Sequence, residues 1–334
     1  MSPSEQTHFA LAQKGIRLNR PAMRVNLTPD AYAEEKFMNR QTSQTSRTTR
    51  AALAKSGWIF VAFLAQALLS TMSFSDEPPA PPNTAALAAA AQNPVADMIS
   101  VPFQNNSYFG IGPNRQTANV LNIQPVIPFT VGKWNIITRT ILPIVYLPAP
   151  IDGGIPGLPQ NIPSGSTNGL GDINFTAFLS PANPRKLIWG IGPSLGLNTA
   201  TSDFTGTGKW TAGPSLVLLM QPKPWTVGLL VRNLWSFAGQ SNRESVNSFM
   251  TQFFVNYNLP GGWYLTSSPV ITANWQAPSG ERWTVPLGGG IGKILRVGRL
   301  PVNLQVQGFG NVVAPENAPD WSLRFQAQLL FPKG

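Results

Sequence analysis

Arg139, Asp172, Arg232, Arg324 and Gln326 are the residues of this chain whose types and spacing can act on a ligand. Arg232 lies in a stretch where Trp225, Val227, Leu229, Val231 and Trp235 alternate with Thr226, Gly228, Arg232 and Ser236. Arg324 and Gln326 lie in another, on the parity opposite Trp321, Leu323, Phe325, Ala327, Leu329 and Phe331. Asp172 falls on a polar parity too. Arg139 is less determined, because Ile137 and Ile141 share its parity. Guanidinium groups lining a narrow enclosed face select anions or polarise a solute. The same set can instead brace a wall, with Asp172 neutralising one or more arginines, because a buried unpaired charge is costly.

Other chemistry is largely excluded. The chain has no cysteine, and its one histidine is His8. No thiolate, Ser-His or Cys-His centre is expected beyond the N-terminus, nor a histidine-based metal site. Asp152, Asp172 and Asp203 could gather a cation, but their spacing fixes no geometry, and solvated loops are the simpler reading. The run Gly288–Lys293 (GGGIGK) lacks the Lys-Ser/Thr ending of a phosphate loop and sits in an alternating stretch. The chain is expected to be no enzyme and to carry no cofactor.

The elements that must position these residues repeat one unit: ten to fourteen residues alternating apolar and polar, then a connection. Period two puts one parity on each face of a strand. Twelve segments read this way: 104–112, 118–131, 134–147, 170–180, 187–198, 209–220, 225–238, 247–258, 263–275, 282–294, 301–312 and 321–331. The count falls to ten if the weaker signals at 104–112 and around 294–300 are discounted. Tryptophans mark the segment ends: Trp134, Trp210, Trp225, Trp235, Trp263, Trp275, Trp283 and Trp321. Those are the depths of two interfacial girdles. A soluble β-sandwich also alternates, but it has no reason for tryptophan at both ends of such long strands. The expected fold is therefore all-β: an antiparallel up-and-down transmembrane β-barrel, porin-like, in the outer membrane of a Gram-negative bacterium, with lipid and the barrel-assembly machinery as partners. Compact connections alternate with longer ones rich in Ser, Thr, Asn and Gly, which puts both termini in the periplasm. Pro125, Pro128, Pro143, Pro193, Pro214, Pro269 and Pro286 lie inside the segments and each removes a ladder donor. Bulges or lumen-side water are expected there.

Ahead of the barrel, 104–334, two further regions are expected. Residues 1–75 hold a polar extension and a signal peptide whose apolar core is Trp58–Leu69, preceded by Arg47, Arg50 and Lys55. The core is too short to span a bilayer as a helix. A short membrane-anchoring helix is the other reading. Cleavage after Ser75 leaves a polar start at Asp76, and cleavage after Ala67 also fits; initiation at Met38 would explain the long leader. Residues 76–103 form a Pro/Ala-rich linker whose alanine part can make a short helix, lying in the periplasm or plugging the lumen. The net charge of +10 is split evenly between residues 1–75 and the much longer remainder, and no basic face suggests nucleic acid. The mean hydropathy of −0.03 argues against a helical membrane bundle.

The block Asn105–Pro148 carries the words QPVIPF and WNIITRTILP, followed by GLGD at Gly169–Asp172, WGIGPSLGLNTAT at 189–201, GKWTAGPS at 208–215 and PLGGGIGK at 286–293. This combination resembles a family of outer-membrane transporters associated with phenol meta-cleavage degradation pathways, whose members often carry the label "neuromedin U". The resemblance covers Asn105 to the C-terminus, in-strand prolines included. It departs from the usual barrel ending, since Pro332-Lys333-Gly334 follow Phe331. The resemblance implies passage of small, aromatic or hydrophobic solutes. Twelve strands lie between the filled eight-stranded barrels and the open sixteen-stranded channels, so the lumen should be narrow or partly plugged. The expected function is a passive channel for uptake or efflux of such solutes. The alternative is a structural or surface-interaction barrel whose outer loops bind a partner.

Overall fold

A computed structural model describes residues 84–148, 151–152, 161–162, 166–298 and 300–332. The expected signal-peptide core and the polar extension lie outside the described residues.

The described chain is one short α-helix, a closed antiparallel sheet, two 3-10 turns (Pro260–Gly262 and Ser279–Glu281) and a separate two-stranded ladder, Ile151–Asp152 with Asn161–Ile162. Helix α1 is Thr84–Ala91. The strands are β1 (Ile99–Ile111), β2 (Gln116–Ile123 and Val126–Val131), β3 (Trp134–Leu147), β4 (Thr167–Leu170 and Ile173–Pro181) and β5 (Leu187–Leu197). They continue with β6 (Lys209–Met220), β7 (Trp225–Gly239), β8 (Asn247–Asn258), β9 (Trp263–Ser267 and Val270–Asn274), β10 (Trp283–Val297), β11 (Leu300–Val313) and β12 (Trp321–Phe331). Each strand pairs with its sequence neighbours, and β1 pairs with β12 from Ile99↔Phe331 to Phe109↔Trp321. Closure removes both sheet edges, which is what lets strands stand in hydrocarbon with no unpaired backbone edge.

The strand count is twelve. β1 begins at Ile99, five residues earlier than the alternation suggests. Its first residues pair in register with Phe331 to Gln328, a non-local match that Pro102 disguises in the sequence. The alanine run forms α1 as allowed for, and its place is the lumen mouth.

The apolar parity faces out. Phe129 is 52% exposed, Leu265 52% and Leu287 57%, values that belong to lipid contact in a barrel. Aromatics ring both rims. At the end with short connections, Trp134 packs edge-on to Trp189 and Trp225 to Tyr257. At the end with long loops, Trp275 packs edge-on to Trp283, and Phe109 stacks on Trp321 with centroids 4.1 Å apart. The described ends of the chain, α1 and the last residues of β12, both lie at the short-turn rim.

Three of the strands are interrupted. β2 breaks at Gln124-Pro125, β9 at Ser268-Pro269 and β4 at Gly171-Asp172, opposite Pro143. Proline at a strand position cannot donate to the ladder, and the residue before it is sterically restricted as well. Pro286 falls at a register shift between β10 and β11, a bulge of the expected kind. Pro193 and Pro214 instead face one another across β5 and β6 without a break.

Candidate functional site: the barrel lumen

The interior is divided along the axis. At the short-turn rim the segment after α1 enters the barrel, and Val95 sits among Ile137, Phe178, Val217, Leu230 and Phe254. A glycine makes this approach possible, because a Cβ at Gly190 would lie 3.1 Å from the Val95 Cγ1. Leu87 and Ala88 of α1 pack on Tyr264 and Ile294, and the Tyr264 ring takes the space a Cβ at Gly292 would need. Polar contacts fix the same segment: Gln92 Nε2 donates to Asn258 Oδ1 at 2.8 Å, and Gln221 Nε2 to the Ala89 carbonyl at 2.8 Å. At the loop rim a second apolar group, Ile111, Val120, Val145 and Leu147, packs with Phe204 from the loop after β5.

Alongside the segment after α1 lies a polar cavity of about 150 Å³, running from Ala91 and Pro94 past Leu230 and Phe254 of the lower collar to Ser268 and Arg324, room for about five waters. Glutamines dominate its wall: Gln104, Gln124, Gln252, Gln305, Gln326 and Gln328. Arg139 and Arg324 also line it. No acidic side chain does.

Each lumen arginine is held by neutral oxygens, at least one of them supplied at or beside a strand interruption. Arg139 Nη2 donates to Gln124 Oε1 at 2.6 Å, at the break in β2. Arg324 donates from Nη1 to the Ser268 carbonyl at 2.9 Å, at the break in β9, and from Nε to Asn106 Oδ1 at 3.0 Å. Its guanidinium carbon stands 4.9 Å from the Phe309 ring centroid. Arg232 Nη1 donates to Asn174 Oδ1, two residues past the break in β4. Arg139 pairs with Thr176 on the same face of β4, so Arg139 and Arg232 share one wall. None of the three makes an ion pair with a described residue. A charge so placed keeps its hydrogen bonds but not its neutralisation, and it projects a positive field into the cavity.

Asp172 does not join them. Its Oδ1 accepts from the Thr199 and Ala200 amides at 3.2 Å, and its Oδ2 from the Thr207 amide at 2.7 Å and hydroxyl at 2.9 Å. The reading of Asp172 as a brace for the arginines is thereby corrected. Its four acceptor sites are used by the loop 198–208, which the carboxylate ties down at the break in β4. That loop carries Phe204 into the upper collar. Asp203 contributes its backbone carbonyl to Arg243 Nη2 at 2.8 Å. The Asp152 side chain lies outside the described residues.

Sequence reasoning did not single out Gln124, Asn174, Ser268, Asn106 or Val95. The first and third carry a readable signal, since each stands immediately before an in-strand proline. Gln307 completes the β9 break: its Oε1 accepts from the Ser268 amide at 2.9 Å, replacing a ladder partner.

Fold and lumen together define a closed, plugged, twelve-stranded β-barrel of outer-membrane type. The chain belongs to the family described as "Putative MetA-pathway of phenol degradation", whose model matches residues 104–292. No curated protein matches the sequence. Among solved structures, an outer membrane channel from Pseudomonas putida F1 is 17% identical with a TM-score of 0.52, over 70% of this chain and 94% of that one. The NanC porin is 10% identical (TM-score 0.43, 70% of this chain, 100% of that one), and the CymD monoaromatic hydrocarbon channel 11% (TM-score 0.39, 75% and 91%). At these identities the likeness to the first is one of fold.

Proposed function

We propose that the barrel is a passive outer-membrane channel for small solutes, taken up or released, with aromatic or hydrophobic bodies and a preference for anionic groups. The observation that carries this reading is the polar cavity in the lumen: arginines without carboxylates, on a wall that meets the lower apolar collar at Leu230 and Phe254. The collars offer contact area to a ring or short chain, and the arginine field attracts a carboxylate or phenolate. The family description, which concerns phenol degradation, fits solutes of that kind. Arg139, Arg324 and Gln326 on the cavity wall, with Arg232 beside Arg139, set the constriction. The short turns face the periplasm, Trp58–Leu69 is the core of a cleaved signal peptide, and the barrel-assembly machinery inserts the protein.

One observation favours the runner-up, a non-transporting barrel whose outer loops bind a partner: the segment carrying Val95 fills the short-turn mouth. Single-channel recording of the full chain in a planar bilayer, with and without simple aromatic acids, separates the two. Conductance with anion preference, reduced by an aromatic acid occupying the cavity, supports the channel. A fully folded barrel with neither conductance nor solute uptake overturns it.

A further inference from the structure

The charges of the barrel are sorted by height. After Ile99 the chain has seven carboxylates, Asp152, Asp172, Asp203, Glu244, Glu281, Glu316 and Asp320, and all of them belong to the long-loop end. The opposite rim is cationic. Lys133, Arg185, Lys186, Lys223 and Arg296 lie exposed in or beside four of the five short turns, and Lys293 stands at the same level. None of these makes an ion pair with a described residue. Asp97, in the segment leading into β1, is the described carboxylate at this end. By contrast the loop-end cations are engaged locally: Arg115 pairs with Asp320 at 2.7 Å, Lys209 bonds the Gln240 carbonyl, and Arg282 bonds that of Ala277.

The cationic side chains also stand next to the lower aromatic girdle. Lys133 precedes Trp134, and Lys223 lies two residues before Trp225. Lys293 Nζ sits 4.7 Å from the Trp263 ring centroid. Arg185 and Lys186 lead into the strand whose Trp189 packs on Trp134. Interfacial tryptophan fixes the depth at which lipid carbonyls and phosphates lie. A lysine or arginine beside it places its charge at the phosphate layer, where each is attracted to anionic lipid by a locally significant energy.

We propose that the short-turn rim is a belt that binds anionic glycerophospholipid head groups, such as phosphatidylglycerol, in the leaflet bordering that rim. The cations point to phosphate and the girdle to a lipid-borne one. The shared height of the charges fits a planar array of head groups better than a single soluble anion. The belt is distinct from the lumen arginines and does not depend on solute passage.

The test uses the girdle itself. The full chain is reconstituted in vesicles of phosphatidylcholine with rising fractions of brominated phosphatidylglycerol, and quenching of tryptophan fluorescence gives the relative binding constant at the barrel surface. The wild type should prefer phosphatidylglycerol roughly fivefold or more, the effect of about one well-placed cation, and lose the preference in high salt. The variant Lys133→Gln/Arg185→Gln/Lys186→Gln/Lys223→Gln should bind the two lipids about equally. The loop-end control Arg115→Gln/Lys209→Gln should keep the wild-type preference, and free glycerol phosphate should not compete. Heat-modifiable mobility on gels confirms that each variant is folded. Equal binding of the two lipids by the wild type overturns the proposal, as does a preference that survives the quadruple substitution. Stronger competition by lipid A than by phosphatidylglycerol overturns it too, assigning the belt to the other leaflet's lipid.

Discussion

Arg324 Nη1 donates to the Ser268 carbonyl at 2.9 Å, at the point where Pro269 interrupts β9. The interruption frees backbone groups on the lumen side, and the guanidinium takes the carbonyl while Gln307 takes the amide. Gln124 before Pro125 does the same for Arg139 with its side chain. The in-strand prolines at these two places thus build the anchor points of the charged waist.

Gln307 is therefore a structural partner of the break. Gln307→Leu leaves the Ser268 amide and hydroxyl without their acceptor in a buried place. Stability should fall by roughly 1–3 kcal/mol, read from reversible urea unfolding in lipid vesicles. An unchanged midpoint would mean that water takes over the role of Gln307.

Facing is tested by a pair of substitutions. Val231 lies on the apolar parity between Leu216 and Thr251, whereas Gln326 lines the cavity. Val231→Arg should cost roughly 2–4 kcal/mol in the same assay, while Gln326→Arg should be tolerated. Similar costs at both positions would contradict the inside–outside assignment.

Val95→Asp puts a carboxylate into the lower collar, where burial without a partner costs several kcal/mol. The segment should leave the collar rather than the barrel unfold. Single-channel conductance should then rise severalfold with the β-sheet circular dichroism unchanged, since about 1.4 kcal/mol already shifts a docking equilibrium tenfold. Unaltered conductance would show that the segment does not limit the pore.

The arginines set the sign of the field. Arg139→Gln, Arg232→Gln and Arg324→Gln should each shift the reversal potential in a salt gradient toward cations, and the triple change should do so most, because a narrow low-dielectric path focuses the field. Since neutral oxygens hold these side chains, glutamine can keep part of the bonding and folding should survive. Wild-type cation selectivity would refute the assignment.

Protein extracted from outer membranes should begin near Asp76. Intact mass or N-terminal sequencing decides it, and retention of Trp58–Leu69 would remove the signal-peptide reading.

The sequence by itself determined much of this protein. Its two-residue period fixed the barrel class and which parity meets lipid, and left the count at twelve or ten strands, because the first two follow from local alternation and side-chain transfer free energy while the count rests on closure, which pairs β1 with β12. Tryptophans at segment ends marked the two rims for the same reason. Tertiary structure decided what pairing at long range decides. Asp172 and Arg232 both read as lumen charges, but only closure and register show that Asp172 is consumed by the amides of loop 198–208 while Arg232 meets Asn174. Parity assigns a face and not a height or a partner. Likewise Val95 reads as one apolar residue in a linker, and its place among Ile137, Phe178 and Phe254 depends on strands up to 159 residues away coming round to enclose it.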